Sequence, residues 1–317
     1  MSHNVLFLDS VHPILMDTLT QLQFNCTEEH EAVGEALFSK LDGIHGIVIR
    51  SRVPIRRDFM DRAPELKWIA RVGSGLENID VKYAESKGVK VWNAPTGLSN
   101  AVGEHALGML ISMLKNIVKG DREIRSGIWD RAGNRGEELD GKTIGIWGYG
   151  ATGSAFAKKL RGFDVKVRAY DKYKSGFGDD FIIESTPDDL FRESDVISFH
   201  IPLNEETNQM IDTDFLSRFE KRIYLINTSR GPILKISDLV QKMEEHKVQA
   251  VALDVFEYEQ SSFDLSKVDD PNWEYLIESD RTILTPHVAG WSHQSKLRMA
   301  AQLLDQIKEY YRERMKK

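Results

Sequence analysis

The sequence holds one cysteine, Cys26, among 317 residues. That excludes an intrachain disulfide and suits a reducing compartment. It has no excess of positive charge: 42 Lys and Arg against 49 Asp and Glu give −7. Such a balance argues against a nucleic-acid partner held by bulk charge. Long apolar runs are missing too. The most continuous, ALGMLISML at 106–114, falls far short of the roughly 20 residues that span a bilayer. The opening MSHNVLFLDSVHP has no basic stretch, and Asp9 interrupts its apolar residues early, so no signal peptide is expected. Internal repeats and low-complexity segments are absent as well. These absences lead to the expectation of a cytoplasmic protein with no membrane partner. A hydrophobic content of 41% and a charged content of 29% are ordinary for globular proteins, and the length accommodates two domains.

What is present is an alternation of strand-like and helix-like segments. NVLFLD, GIVIRS, KWIARV and VKVWNA read as strands in the first hundred residues. TIGIWG, VKVRAYD, DVISFHIP, RIYLINTS, VQAVALDVF and RTILTP read as strands later. Amphipathic segments such as PDDLFRES and SDLVQKMEEH lie between them. Such alternation predicts parallel sheets with crossover helices, and VALDVF is apolar enough to be covered on both faces. A boundary is expected in NAPTGLSNAVGEHALGMLISMLKNIVKG, where Pro95 and Gly97 break the chain and Ser99 or Asn100 caps a long helix. That helix, placed at about 100–118, is apolar around most of its circumference through Val102, Leu107, Met109, Leu110, Ile111, Met113, Leu114 and Ile117, which suggests a domain or subunit interface. One last amphipathic helix, HQSKLRMAAQLLDQIKEYYRERM, is too short to be a domain and must pack on one already built.

The segment TIGIWGYGATG places Gly148, Gly150 and Gly153 in a Gly-x-Gly-x-x-Gly pattern. A strand precedes it, the helix SAFAKKLRGF is expected just after Gly153, and the next strand ends in Asp171, eighteen residues beyond Gly153. In that unit the helix N-terminus receives a pyrophosphate and the carboxylate binds a ribose diol. A carboxylate repels a 2′-phosphate, so Asp171 favours NAD over NADP. The neighbouring Lys172 softens that preference.

Over nearly its whole length the sequence resembles the D-isomer-specific 2-hydroxyacid dehydrogenase family. The resemblance rests on RVGSGLENID, NAPTG…GEHALGML, ELDGKTIGIWGYGATG, SDVISFHIPLNEET, LINTSRG, ALDVFEYE and TPHVAG, in the family's order. It implies an α/β protein of two doubly wound parallel-sheet domains. A Rossmann NAD-binding domain at 99–291 is inserted into a flavodoxin-like substrate domain made of 1–98 and 292–317. A homodimer around the long helix is implied, and no metal. The implied catalytic set is Arg230, Glu259 and His287. The implied cofactor contacts are Gly148, Tyr149, Gly150, Ala151, Thr152, Gly153, Asp171, His200, Pro202, Thr207, Thr228 and Asp254, the last at the nicotinamide carboxamide. For His200 a packed strand-end histidine is the competing reading. Ser74 and Gly75 are implied to offer backbone N–H groups to the substrate carboxylate, and Arg230 its guanidinium.

The chemistry supports these residue types independently. Reducing a 2-keto acid requires a proton donor beside the carbonyl, and histidine suits that exchange near neutrality. A carboxylate on its other ring nitrogen fixes the ring and favours the imidazolium. An arginine presents a planar fork to a carboxylate that lysine does not reproduce. Glu257 is the competing acid.

Three features depart from the family pattern. Ala151–Thr152 stands where Arg-Ile is common, so a guanidinium contact to the pyrophosphate is lost. The segment between Glu259 and His287 is long and acidic, so the acid loop is expected to be remodelled. Trp291 replaces a small residue and either trims the pocket, forms a lid contact or packs at an interface. Arg50 and Arg52 of IRSR resemble the phosphoglycerate dehydrogenase branch, so 3-phosphoglycerate is the expected small anionic 2-hydroxy acid, with a role in serine biosynthesis. No regulatory domain is expected after the last helix. Arg50, Arg52, Arg71 and Arg230 all fall near strand ends expected to face the cleft, which would make it basic on an acidic protein. Alternatives are a glyoxylate or hydroxypyruvate reductase, or a redox-sensing, corepressor-like NAD-binding module.

Overall fold

The computed structural model describes residues 3–259 and 268–315. The chain separates into two compact units, Met1–Ser99 with Trp291–Lys317, and Asn100–Gly290. The first carries β1 (His3–Phe7), α1 (Ile14–Gln21), β2 (Phe24–Glu28), α2 (Gly34–Phe38), β3 (Gly46–Ile49), α3 (Arg57–Asp61), β4 (Trp68–Arg71), α4 (Val81–Ser86) and β5 (Lys90–Asn93). Its strands pair in the order β2-β1-β3-β4-β5, all parallel. β3 and β4 are buried along most of their length, so their apolar runs need cover on both faces. Leu37, Phe59, Met60 and Ala84 fill one face. The other is closed by α1 and by the last helix, α12 (His293–Met315), through Met299, Leu303, Leu304 and Ile307. Each such side chain contributes about 1.5–3 kcal/mol of burial. The Trp68 indole N–H adds a 3.0 Å bond to the Tyr311 hydroxyl.

α5 (Pro95–Leu114) begins in the first unit and continues into the second, followed by α6 (Ile117–Arg125). The expected break and cap near Ser99 are corrected. Proline at a first helical position forfeits no hydrogen bond. Gly97 is accommodated inside the helix because a Cβ there would lie 2.6 Å from the Met299 backbone nitrogen. The Ser99 hydroxyl donates to the Thr96 carbonyl and the Asn100 amide to Glu104, so neither caps. The helix also ends before 118: Asn116 takes a left-handed φ of 53°, and Ile117, in α6, is 51% exposed. Met109, Leu110, Met113 and Leu114 are covered within the chain, beside Ile144 and Ile146.

The second unit continues with β6 (Thr143–Trp147), α7 (Ala151–Lys159), β7 (Lys166–Tyr170), β8 (Ile182–Glu184), α8 (Pro187–Glu193), β9 (Val196–Phe199), α9 (Thr213–Ser217), β10 (Ile223–Asn227), α10 (Ile236–Glu244), β11 (Val248–Leu253), α11 (Pro271–Glu278) and β12 (Thr282–Leu284). The parallel order is β12-β11-β10-β9-β6-β7-β8. Both sheets therefore have a switch point where consecutive connections leave in opposite directions. It lies between β1 and β3 in the first unit and between β6 and β9 in the second. Ligands of open α/β sheets bind outside the strand C-termini at such points. Of the segment from Glu259 to His287, residues 260–267 lie outside the described residues. The rest is not all loop, since it forms α11 with Asp270 as its cap. No described helix is long and apolar enough to cross a membrane.

Candidate active site

The glycine loop leaves β6 at the switch point. Gly148 has φ 98°, and a Cβ there would meet the His200 carbonyl oxygen at 2.5 Å. α7 starts at Ala151, inside the motif rather than after it, with Gly150 at its N-cap. Gly153 is thus a helical residue, whose Cβ would fall 2.0 Å from the Gly148 carbonyl oxygen. Only glycine lets the helix start this close to the strand it follows. Asp171 is held by two backbone donors, Tyr149 N–H at 2.9 Å and Tyr173 N–H at 2.9 Å. Lys172, beside it, is paired with Glu206. Tyr149 stacks on Phe177, and Thr152 is half-buried.

Three features of these residues bear on the fit of NAD. Apart from its own chain neighbours, no described residue places an atom within 4 Å of a Cβ position at Gly150, so a phosphate can approach the backbone there. The Asp171 carboxylate is oriented at the end of β7. The buried Thr228 hydroxyl, just beyond β10, has no hydrogen-bond partner among the described residues and offers one to a ligand. The donor set fits the dinucleotide.

Thr207 and Pro202 fall on one tight loop. The Thr207 hydroxyl donates to the Pro202 carbonyl (2.7 Å) and accepts from Asn204 N–H (2.9 Å). His200 is buried, with Nε2 2.9 Å from the Ser198 hydroxyl, and burial pushes its pKa down to about 3. Unfolding frees this ring to take up a proton. Its contribution to stability is full above the ordinary histidine value near 6.5 and declines as pH falls toward 3. We expect His200 alone to cost roughly 2 kcal/mol between pH 7 and pH 5. Urea unfolding of His200→Leu at both pH values tests this; an unchanged difference between them would contradict it.

Arg230 follows β10 in a turn locked by Asn227, whose amide donates to the Arg230 carbonyl (3.0 Å) and whose oxygen accepts from Ser229 N–H (3.1 Å). Arg230 itself donates to the Ser229 carbonyl at 2.6 Å. Glu259 and His287 come together: His287 Nδ1 lies 2.7 Å from Glu259 Oε2. The other carboxylate oxygen accepts Phe256 N–H at 2.6 Å, which fixes its orientation. Glu257, the competing acid, has a different place. Its Oε2 accepts Ile236 N–H (2.9 Å) at the start of α10, and burial pushes its pKa up. The pair can hold a proton on Nδ1 against a carboxylate while Nε2 exchanges one.

Asp254, 1% exposed, accepts from the Val288 and Ala289 N–H groups (2.9 and 2.8 Å) and from the Thr285 hydroxyl (2.6 Å). Both its oxygens are thus engaged by the segment that carries His287. The sequence reading missed this role, as it missed Thr285 and His105.

In the first unit, Arg50 stands at the switch point between β1 and β3. Its backbone N–H donates to Asp9 Oδ2 (2.6 Å), and its guanidinium stacks on the Trp291 ring, 4.1 Å from the centroid. Burial lowers the Arg50 pKa, and Asp9 partly offsets this. Arg52 is corrected: its guanidinium donates to the carbonyls of Leu8, Ala32 and Glu29 (2.9, 2.9 and 2.8 Å), which spends it on holding loops. Ser74 and Gly75 are half-buried beyond β4, and the Ser74 carbonyl accepts from the Asn93 amide. Arg71 folds against Gly73, where a Cβ would lie 1.4 Å from Nη1.

Comparison with known proteins gives these residues a context. Residues 107–289 match the family model for the D-isomer specific 2-hydroxyacid dehydrogenase, NAD binding domain. The hydroxypyruvate reductase of Thermotoga maritima is 32% identical over 91% of this chain and 93% of that protein. The D-3-phosphoglycerate dehydrogenase of Methanocaldococcus jannaschii is 31% identical over 88% of this chain but only 52% of its own length. A crystal structure of a glyoxylate reductase from Paecilomyes thermophila superposes with a TM-score of 0.86 at 25% identity, over 97% of this chain and 94% of that one. Glycine loop, parallel-sheet topology and collinear similarity agree: the chain belongs to the D-isomer-specific 2-hydroxyacid dehydrogenase family and is an NAD-dependent oxidoreductase acting on the CH–OH group of a 2-hydroxy acid.

Proposed function

We propose that the chain interconverts a D-2-hydroxy acid and its 2-keto acid, with His287 as proton donor and acceptor, Glu259 as its partner and Arg230 on the substrate carboxylate. The observation that carries this is the 2.7 Å contact between His287 Nδ1 and Glu259. Bound NAD supplies the hydride acceptor, and in the reverse direction the donor. In reduction, Arg230 holds the carboxylate and sets the keto carbon's orientation. Imidazolium His287 passes its Nε2 proton to the carbonyl oxygen as that oxygen gains charge, while Glu259 stabilises the charged ring. In oxidation, neutral His287 takes the hydroxyl proton.

For the substrate, we infer an acid with a second anionic group, of the 3-phosphoglycerate type. Arg50 lies over one face of the Trp291 ring system at 4.1 Å, and Lys296 lies 4.4 Å from its centroid. Two like charges gathered at one indole at a switch point are relieved by an anion. Against this, Arg52 is spent on carbonyls, so glyoxylate or hydroxypyruvate is the second reading.

An assay of NADH and NADPH oxidation over a panel of 2-keto acids tests both. We expect kcat/KM higher with NADH, because Asp171 repels a 2′-phosphate and Lys172 is already paired. We also expect 3-phosphohydroxypyruvate to exceed glyoxylate. Preference for glyoxylate promotes the reductase, and preference for NADPH removes the Asp171 argument. Turnover of none leaves an NAD-binding module of the corepressor kind. The same preparation should sediment as a homodimer, since Ile117, Val118, Ile124, Ile128 and Trp129 form an exposed apolar stretch. A monomer at micromolar concentration would argue against that.

A further inference from the structure

His287 has a left-handed backbone, φ 53°. For a residue other than glycine this costs on the order of 1 kcal/mol and persists only where the surroundings impose it. What imposes it lies on both sides of the residue. His287 N–H donates to the Thr285 carbonyl (3.0 Å), and Thr285 N–H to the Leu253 carbonyl (3.0 Å). The next two N–H groups, of Val288 and Ala289, grip the two oxygens of Asp254. The Thr285 hydroxyl joins at 2.6 Å from Asp254 Oδ1.

A carboxylate only accepts, so the single Thr285 hydroxyl proton is spent on Asp254. Toward any other neighbour that hydroxyl must then accept. The neighbour is His105 of α5, with Nε2 3.0 Å from Thr285 Oγ1 and 3.5 Å from Asp254 Oδ1. The network therefore places the His105 proton on Nε2. One helical turn further on, Met109 also reaches Thr285, at 4.0 Å, so this face of α5 lies directly on the segment leading to His287. We propose that His105 is a positioning residue for the proton relay: through Thr285 and Asp254 it holds the 285–289 segment in the shape that aims His287 at Glu259. Without it the Thr285 hydroxyl loses a donor, the clamp on Asp254 loosens, and the strained His287 backbone relaxes.

This rests on His287 being the proton donor, so the test has one readout that needs turnover and one that does not. His105→Leu should lower kcat by at least about 10-fold, with the NADH dissociation constant within about twofold, as expected for misplacement of a catalytic group. His105→Gln, whose side-chain N–H can donate to Thr285, should recover activity to within about threefold of the unmutated protein. Thr285→Val should resemble His105→Leu, and the two together should do no worse than either, because both break one chain of bonds. The low-field proton resonance of the His287 Nδ1–Glu259 bond should shift or broaden in His105→Leu and return in His105→Gln. If the unmutated protein turns over no 2-keto acid, the functional reading fails while this resonance still decides the positioning claim. A resonance unmoved by His105→Leu overturns the proposal, as do multiplying losses or a failed rescue by glutamine. Should His105→Leu not fold, the comparison of His105→Gln with Thr285→Val carries the same decision.

Discussion

His287→Ala should cut kcat for 2-keto-acid reduction by about 10²- to 10⁴-fold, the reach of general acid–base catalysis. NADH affinity should stay within about twofold, because the dinucleotide's candidate contacts sit on the glycine loop, Asp171 and Thr228. Alanine removes both the exchanged proton and the partner of Glu259, which lies 2.7 Å from the ring. Two further variants sharpen the result. Glu259→Gln keeps the shape but loses the charge that balances the imidazolium, so kcat should fall. Glu257→Gln should leave kcat nearly intact, since its carboxylate serves Ile236 at the start of α10. Steady-state kinetics with a separate NADH titration measures all three. Equal losses at 257 and 259 would move the acid partner's role away from Glu259.

Arg50→Ala should raise KM for 3-phosphohydroxypyruvate by about 10- to 150-fold, the equivalent of one charge-assisted contact of ~1.5–3 kcal/mol. For glyoxylate, which has no second anionic group, the change should be within about threefold. The asymmetry matters more than the size. Arg50 supports its own loop through a backbone N–H to Asp9, and that bond survives the substitution. A general loosening of the first unit would weaken both substrates alike, and equal effects would therefore count against the phosphate reading. Arg52→Ala is the contrasting case. It strips donors from three loop carbonyls and should lower the melting temperature without selecting between substrates.

Most strands were readable because their apolar runs are long enough to be buried on both faces. The two that were not, FNCTE and IIE, are β2 and β8, and each lies at an edge of its sheet. Edge position alone does not explain this, since β5 and β12 are edges too and were readable; β2 is interrupted by Asn25, Thr27 and Glu28, and β8 is only three residues long. The start of α5 was hidden for another reason. Pro95 and Gly97 look like breakers until α12, some two hundred residues later, is seen to need the space at Gly97. The site divides in the same manner. The Gly-x-Gly-x-x-Gly pattern lies in one short motif, and Glu259 and His287 were named together only by the family resemblance of ALDVFEYE and TPHVAG. The engagement of Arg52 by residues 8, 29 and 32, and the linkage of His105 to Asp254, depend on contacts between distant segments. Spacing along the chain does not encode them.

The left-handed backbone of His287 bears on how this protein would respond to selection. Glycine or asparagine adopts that conformation at less cost than histidine. A search for thermal stability alone would therefore favour replacing the residue we propose as the proton donor. Stability and activity then pull the same position in opposite directions, the trade-off expected where strain is stored at a functional site. Directed evolution for heat tolerance would have to screen turnover in parallel, or it would enrich well-folded, inactive variants at position 287.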